Sequence, residues 1–373
     1  MKIVADDKIP FLKGVLEPYE MVYLPGSRIS SFDLIDSDAL LVRTRTKCNE
    51  YLLKGTGVKF IGTATIGFDH IDTAYCENSN IKWTNAPGCN SGSVKQYITS
   101  ALLKLSLEHK FKLNEKTIGI IGVGNVGTKV DKVARALGMN VLLNDPPRER
   151  REGSSGFVTF DTILQEADII TIHVPLNKTG EDKTYHLFSE EVFSRTFKQP
   201  WLINSSRGEV VDTSALKKAL NSDLIKGAIL DVWENEPEID PELLSLVFLA
   251  TPHIAGYSTD GKANGTSMIV NALCNHFGLS LNKWYPAEVP QPTVTLIEIS
   301  GFGKSEEDII REAVMHTYDI CVDDRNIRDS LSSFEKQRGD YRLRREFQAY
   351  RVRLEGSSDN VKKVLAELGF KLK

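Results

Sequence analysis

His253, Glu236 and Arg207 are the residues of this chain whose types and spacing could do chemistry together. His253 stands in Pro252-His-Ile-Ala-Gly256 behind the strand-like Leu249-Ala-Thr251. Glu236 sits in Asp231-Val-Trp-Glu-Asn-Glu-Pro237, just past the preceding strand-like run, and Arg207 follows the run before that. An imidazole can take a hydroxyl proton, a carboxylate can hold it in the tautomer that does so, and a guanidinium can orient a substrate and polarise a developing carbonyl. Those three contributions are what hydride removal from a secondary alcohol needs. The same residues also have a duller account: Glu234, Glu236 and Glu238 read as an exposed acidic loop, and a histidine after a strand as a satisfied structural residue.

The elements that must position them start with Thr117-Ile-Gly-Ile-Ile-Gly-Val-Gly-Asn-Val-Gly127. A short apolar strand runs into Gly122, Gly124 and Gly127 at G-x-G-x-x-G spacing, and Thr128 to Leu137 continues with helical periodicity. This is the first turn of a dinucleotide-binding βαβ unit, with Gly122, Gly124, Asn125, Val126 and Gly127 as its phosphate loop. A second β-run, Asn140 to Asn144, ends in Asp145, eighteen residues after Gly127, where an acid reaches an adenosine ribose. That carboxylate repels a 2′-phosphate, so NAD is expected over NADP. Further β-runs at 168–175, 201–205 and 227–233 complete a parallel sheet, with His173 as a wall of the cofactor pocket.

Before this domain, residues 1 to about 90 alternate β-like runs with helical ones, which predicts a second parallel α/β sheet. Arg43, Thr44 and Arg45 close its third run, and Thr63 and Thr65 its fourth, at carboxyl ends where open sheets bind ligands. Asn85 to Ser93 is a turn-rich boundary, and Val94 to Leu107 reads as a long apolar helix. Three prolines within Trp284 to Pro292 mark a linker to a small α+β appendage. The expected architecture is two Rossmann-like parallel-sheet domains flanking a cleft: 1–92 with 257–282 as a substrate-binding lid, and 93–256 as the NAD-binding domain. A C-terminal domain, 283–373, serves dimerisation.

The chain has 373 residues, 41% of them hydrophobic, and a net charge of −4, so an overall basic, nucleic-acid-binding surface is not expected. Five cysteines without C-x-x-C spacing argue against a disulfide framework and fit a reducing cytoplasm. No run of eighteen uncharged apolar residues and no export signal is visible, and the histidines show no metal-ligand spacing.

Ile203 to Asp212, Asp231 to Pro237 and Pro252 to Gly256, in that order behind the glycine loop, resemble the signature blocks of the D-isomer-specific 2-hydroxyacid dehydrogenases. Gly62 to His70, Ala86 to Asn90, Asp145-Pro-Pro147, His253 to Tyr257 and Leu343 to Phe347 extend the resemblance over nearly the whole chain. It implies that His253 is the acid/base, that Glu236 orients it, and that Arg207 binds the substrate carboxylate or reacting oxygen. It also implies that Val126, Asp145, Val174, Asp231 and Gly256 line NAD, and that Thr44, Thr65 and Tyr257 face a phosphorylated 2-hydroxy acid. Arg43 or Arg45, with Arg344 or Arg345 from the appendage, would meet the phosphate; a solvated or interfacial basic strip is the other account of the latter two. Lys95-Gln96 departs from the Ala-Glu of many relatives, and Val174 from a hydroxyl residue. Another 2-hydroxy acid, such as 3-phosphoglycerate, and a NAD-sensing binding protein are the alternative functions.

Overall fold

Short continuous apolar runs bury both faces of the central parallel strands in two sheets, and a third, smaller parallel sheet with alternating runs buries one face. The computed structural model describes residues 1–17 and 19–373. Strands β1 (Lys2–Asp6), β2 (Glu20–Leu24), β3 (Ala39–Val42), β4 (Phe60–Thr63) and β5 (Lys82–Thr84) form a parallel sheet in the order β2-β1-β3-β4-β5. The Thr259–Phe277 helix returns to this sheet, packing Ile269, Val270 and Leu273 on Ile3, Leu41 and Phe60. It starts on Ser258, whose hydroxyl accepts from Gly261 N–H, and stops at Gly278 in the left-handed region. The three-residue strand β5, Lys-Trp-Thr, falls outside the runs read from sequence, being too short for its alternation to register.

Strands β6 (Thr117–Ile121), β7 (Asn140–Asn144), β8 (Ile169–Ile172), β9 (Trp201–Asn204), β10 (Gly227–Leu230) and β11 (Leu249–Ala250) form a second parallel sheet, ordered β11-β10-β9-β8-β6-β7. The order reverses between β6 and β8, so the glycine loop opens at the switch point where doubly wound sheets bind ligands. Strands β12 (Leu296–Ser300), β13 (Arg351–Glu355) and β14 (Lys371–Leu372) make a third sheet, also parallel throughout, so helices cross between its strands.

The chain divides into two compact units, residues 1–90 with 258–290, and residues 91–257 with 291–373. In the second unit the appended segment shares its core with the dinucleotide-type sheet. The Ser91–Glu108 helix is buried nearly all round, with Tyr97, Ile98 and Leu102 in one cluster with Ile118, Ile229, Ile309 and Val352. Its polar residues are paired: Gln96 donates to Thr317 Oγ1 and Arg345 O, both at 3.0 Å, and Lys95 donates to Leu368 O at 2.7 Å. The two departures at 95 and 96 therefore tie this helix to the appended segment. The Ile320–Asp329 helix, not evident in the sequence because it is so highly charged, covers the edge of β11. Asp324 accepts from Ala250 N–H at 2.8 Å, and Arg328 donates to Leu244 O and Val247 O at 2.7 and 2.9 Å. Among the described residues, no helix is long and apolar enough to cross a membrane.

Candidate active site

The three glycines of the loop stand in three different environments. Gly122 has φ +85°, and a Cβ there would lie 2.7 Å from the His173 carbonyl and 2.9 Å from Val174 Cγ1. At Gly127 a Cβ would land on the Gly122 carbonyl oxygen, so this residue closes the helix onto the strand. Gly124 has nothing within 4 Å of its would-be Cβ and is exposed, which leaves its backbone open to a bound group. The helix Gly127–Ala136 begins without a side-chain cap, so its first amides and positive end are available to an anion. Exposed Asn125 and half-buried Val126 complete the loop.

Asp145 fixes both the loop and the next helix. One carboxylate oxygen accepts from Val123 N–H at 2.8 Å, and the other caps Pro146–Glu152 through Arg148 N–H at 2.9 Å. The Arg148 side chain turns back to the Val123 carbonyl at 2.8 Å and to Glu152 at 2.8 Å. An acid is thus held at the end of β7, beside an uncapped helix and an open glycine. That is the donor and acceptor set that a dinucleotide's ribose and pyrophosphate require. His173 donates to or accepts from Thr171 Oγ1 at 2.9 Å, and burial pushes its pKa down to about 3. It is neutral at neutral pH.

Arg207, Glu236 and His253 follow the carboxyl ends of β9, β10 and β11 in turn. Glu236 and His253 form a direct pair, with Oε2 2.7 Å from Nδ1. The second oxygen of Glu236 accepts from Trp233 N–H at 2.9 Å, so both oxygens are committed and the carboxylate cannot rotate. Burial works to raise the Glu236 carboxyl, but the hydrogen bond and charge of His253, the Trp233 N–H and the Arg338 charge outweigh it and hold it below its ordinary value. With Nδ1 on the carboxylate, Nε2 is the nitrogen left to exchange a proton with a ligand. His253 sits at φ +55°, a conformation costly for a residue with a side chain and maintained by its surroundings.

Asp231 supplies much of that constraint. It is 1% exposed, and its Oδ1 accepts from Thr251 Oγ1 at 2.6 Å and Ile254 N–H at 2.8 Å, while Oδ2 accepts from Ala255 N–H at 2.9 Å. Burial raises this carboxyl above its ordinary value, against the pull of His253 and of those donors. These bonds wrap the 251–255 loop around one buried carboxylate. Gly256 and Tyr257 follow, both half-buried.

Arg207 precedes the 3-10 turn Gly208–Val210, and Nη1 donates to Ser206 O at 2.8 Å. Asn204 holds the loop by donating to Arg207 O at 2.9 Å. A Cβ on Gly208 would land on the Trp233 carbonyl, so the Arg207 loop lies directly against the backbone that carries Glu234 and Glu236. His186 braces the same two loops, with Nε2 2.7 Å from Glu234 Oε1 and Nδ1 3.4 Å from Asp212 Oδ2. Glu234 is therefore a bracing residue rather than part of a solvated acidic loop, a role that spacing alone did not reveal.

In the first unit, Arg43 and Thr44 follow β3, and Thr63 and Thr65 lie at the end of β4 with their hydroxyls 2.7 Å apart. Arg43 donates to Lys8 O at 3.1 Å. Its guanidinium also acts on Lys262, whose ammonium is pushed down by burial first and by Arg43 second. Sequence reasoning missed Lys262, because nothing in its neighbourhood along the chain marks this lysine near the start of a helix as one whose ammonium is buried and feels the Arg43 charge. Arg344 is 3% exposed and donates to Gln96 Oε1, Ser93 O and Ile254 O at 2.8, 2.7 and 3.3 Å, stacked 3.7 Å from the Tyr318 ring centre. Arg345 is 6% exposed. These two form no solvated strip, and the guanidinium of Arg344 is committed to holding the appended segment on the 251–257 loop.

Residues 96–255 match the family described as D-isomer specific 2-hydroxyacid dehydrogenase, NAD binding domain, and residues 289–369 match one described as a domain of unknown function. An erythronate-4-phosphate dehydrogenase of Bacteroides thetaiotaomicron is 51% identical to this chain, covering 94% of it and 99% of the relative. That of Porphyromonas gingivalis is 42% identical over 99% of this chain and 100% of its own. Among solved structures, D-lactate dehydrogenase from Aquifex aeolicus, complexed with NAD and lactic acid, aligns with a TM-score of 0.62 at 27% identity, over 74% of this chain and 96% of that one. NAD-dependent formate dehydrogenase from Staphylococcus aureus, in complex with NAD, shares the fold with a TM-score of 0.59 at 24% identity, over 76% of this chain and 97% of that one.

Proposed function

We propose that this chain, which belongs to the erythronate-4-phosphate dehydrogenases of the D-isomer-specific 2-hydroxyacid dehydrogenase family, oxidises 4-phospho-D-erythronate to (R)-3-hydroxy-2-oxo-4-phosphooxybutanoate with NAD, a step in pyridoxal 5′-phosphate synthesis. The observation that carries the reading is the Glu236–His253 pair, with Nδ1 and Oε2 2.7 Å apart, on the same sheet edge as an acid-terminated glycine loop. NAD, when bound, supplies the acceptor for the C2 hydride. Gly122, Gly124, Asn125, Val126 and Gly127 would take its pyrophosphate, Asp145 its adenosine ribose, and Val174 and Gly256 would line its length. Asp231 would act at the same place, chiefly by holding the His253 loop.

The chain's own residues do the rest. Nε2 of His253 takes the proton of the C2 hydroxyl as the carbonyl forms, and the Glu236 carboxylate balances the imidazolium that results. Arg207 holds the C1 carboxylate, orienting C2, since a guanidinium matches two carboxylate oxygens at once. For the phosphate we assign Arg43, with Thr44 and Thr65, and add Lys262. Two cations of one unit that repel each other are relieved by a dianion, and that relief favours a phosphorylated substrate over a plain one. Tyr257 faces the substrate. We further propose a homodimer formed through the appended segment, supported by the exposed Val294, Phe302 and Leu343, and a cytoplasmic location, supported by five cysteines that form no disulfide among the described residues.

NADH formation by the purified chain with 4-phospho-D-erythronate, beside D-3-phosphoglycerate and with a 2-oxo acid present to reoxidise retained NADH, tests the reading. Selective turnover of the erythronate, abolished in His253→Ala, is the expected result. Turnover of phosphoglycerate alone would reassign the substrate.

A further inference from the structure

Of the segment Gly62 to His70, the reaction as described uses only Thr65, yet the fold ties His70 to that threonine through a chain of hydrogen bonds within one unit. Thr63 ends β4 and is fully buried, and Thr65 is half-buried. Nε2 of His70 lies 3.1 Å from Thr63 Oγ1, Thr63 Oγ1 lies 2.7 Å from Thr65 Oγ1, and Thr65 Oγ1 donates to the Gly67 carbonyl at 2.9 Å. His70 is pinned by its backbone, since its carbonyl accepts from Cys48 N–H at 2.8 Å and the next amide, Ile71 N–H, donates to Phe68 O at 2.8 Å. The threonine loop is held as firmly. Thr65 O accepts from Ala86 N–H at 2.9 Å, and Ile66 O accepts from Asn85 Nδ2 at 2.7 Å.

Counting hydrogens gives this chain a direction. A hydroxyl has a single hydrogen and a carbonyl can only accept, so the Thr65 hydrogen is the one spent on Gly67. Thr65 must then accept from Thr63, whose own hydrogen is thereby used, and Thr63 must accept from His70. Nε2 of His70 is therefore the nitrogen that carries the proton. Burial pulls the ring below its ordinary pKa against the Asp69 charge, so at neutral pH it is the neutral Nε2–H tautomer. The hydrogens point from the half-buried ring through the buried threonine to Thr65, the last hydroxyl of the chain. A hydroxyl that accepts a hydrogen bond donates a stronger one. A phosphate dianion accepts and cannot donate, so Thr65 serves it only with that last hydrogen.

We propose that His70 is a positioning residue of the substrate site: its Nε2–H sets the direction of the Thr63–Thr65 hydroxyl pair, so that Thr65 gives its hydrogen to the substrate phosphate in exchange for the Gly67 carbonyl. This rests on the assignment of Thr65 to the phosphate above. Without the imidazole hydrogen the pair is free to reverse. Thr65 then donates to Thr63 and turns a lone pair towards the phosphate, which opposes binding. His70 touches no ligand in this scheme and acts only through Thr65, so its effect must vanish when the Thr65 hydroxyl is absent.

The test measures KM and kcat for 4-phospho-D-erythronate, and the affinity for inorganic phosphate by calorimetry, in the full chain. The variants are Thr65→Val, His70→Leu, the polar His70→Asn, whose amide stops at the Nδ1 position, His70→Gln, and each His70 loss combined with Thr65→Val. Thr65→Val, His70→Leu and His70→Asn are each expected to raise KM and weaken phosphate roughly tenfold, the loss of one hydrogen bond to a charged group, with kcat much less changed. The combined variants should be no worse than Thr65→Val alone. Gln places its Nε2 where the ring nitrogen stands and should recover most of the loss. Losses that multiply in the combined variants, a Gln variant as weak as Asn, or folded Leu and Asn variants that match wild type overturn the proposal. A histidine that merely supports the loop would give the first two results. If wild type does not turn over the erythronate, the substrate reading fails, and the phosphate titrations of the same variants still decide the role of His70.

Discussion

Replacing Glu236 by glutamine keeps the shape of the side chain and should nevertheless be among the most damaging changes in the protein. The reason is the Trp233 N–H, a fixed donor 2.9 Å from one oxygen of Glu236. In Glu236→Gln the amide oxygen must face that donor, so the NH2 group faces His253 Nδ1. That nitrogen must then accept, which puts the ring proton on Nε2 and leaves the substrate hydroxyl without a base. Restoring the working tautomer means turning the amide and leaving the Trp233 N–H opposed, at about 1–3 kcal/mol. The charge-assisted bond to the imidazolium is lost as well, at about 1.5–3 kcal/mol. The sum corresponds to a fall in kcat of roughly 10²- to 10⁴-fold. NAD affinity should stay near wild type, since the glycine loop and Asp145 are untouched. The assay is NADH formation with a 2-oxo-acid acceptor, using substrate deuterated at C2 to confirm that hydride removal limits the rate. Glu236→Ala leaves room for water, which can accept from Nδ1, so it should be no worse than Gln. A Gln variant that keeps a tenth of wild-type kcat, or is clearly better than Ala, would refute the tautomer argument.

Three further outcomes follow from other parts of the structure. Gly124→Ala, with open space at its Cβ, should fold normally and weaken NAD binding, whereas Gly127→Ala, whose Cβ would strike the Gly122 carbonyl, should lower the thermal midpoint itself; calorimetry with and without NAD separates the two. Lys262→Met should raise KM for 4-phospho-D-erythronate by roughly tenfold or more, the loss expected for one charge-assisted contact to phosphate, with far less effect on a substrate lacking the phosphate. His173 has its folded pKa lowered to about 3 from 6.5, so the unfolded chain binds the extra proton between those values and stability falls as pH drops through that window. His173→Gln should flatten the dependence of the urea midpoint on pH over the same window, and an unchanged slope would show that His173 is not held neutral.

Much of this protein is legible from local pattern. The strands at Lys2–Asp6, Ala39–Val42, Thr117–Ile121 and Trp201–Asn204 are apolar runs closed by turn residues, and the glycine spacing marks the tight strand-to-helix turn after Ile121. The appended segment was read less completely. The Ile320–Asp329 helix looks like a solvated charged stretch, yet Asp324 closes the edge of β11 and Arg328 takes carbonyls at the end of the Pro241–Leu246 helix before it. Arg344, read as a phosphate ligand or an exposed strip, is buried under Tyr318. Charge along a sequence does not reveal whether its partner is water or a carbonyl distant in the chain.

The order of motifs by itself determined the two larger parallel sheets, the glycine loop with an acid closing the next strand, and the candidate trio of Arg207, Glu236 and His253. Those depend on glycine conformation, residue type and strand period, which are properties of neighbours in the chain. Only tertiary structure decided that Glu236 reaches Nδ1 of His253 and that Asp231 spends its carboxylate on the loop behind them. Each of these is a contact between distant segments, set by how apolar surfaces pack, and packing carries no fixed spacing that a sequence could display.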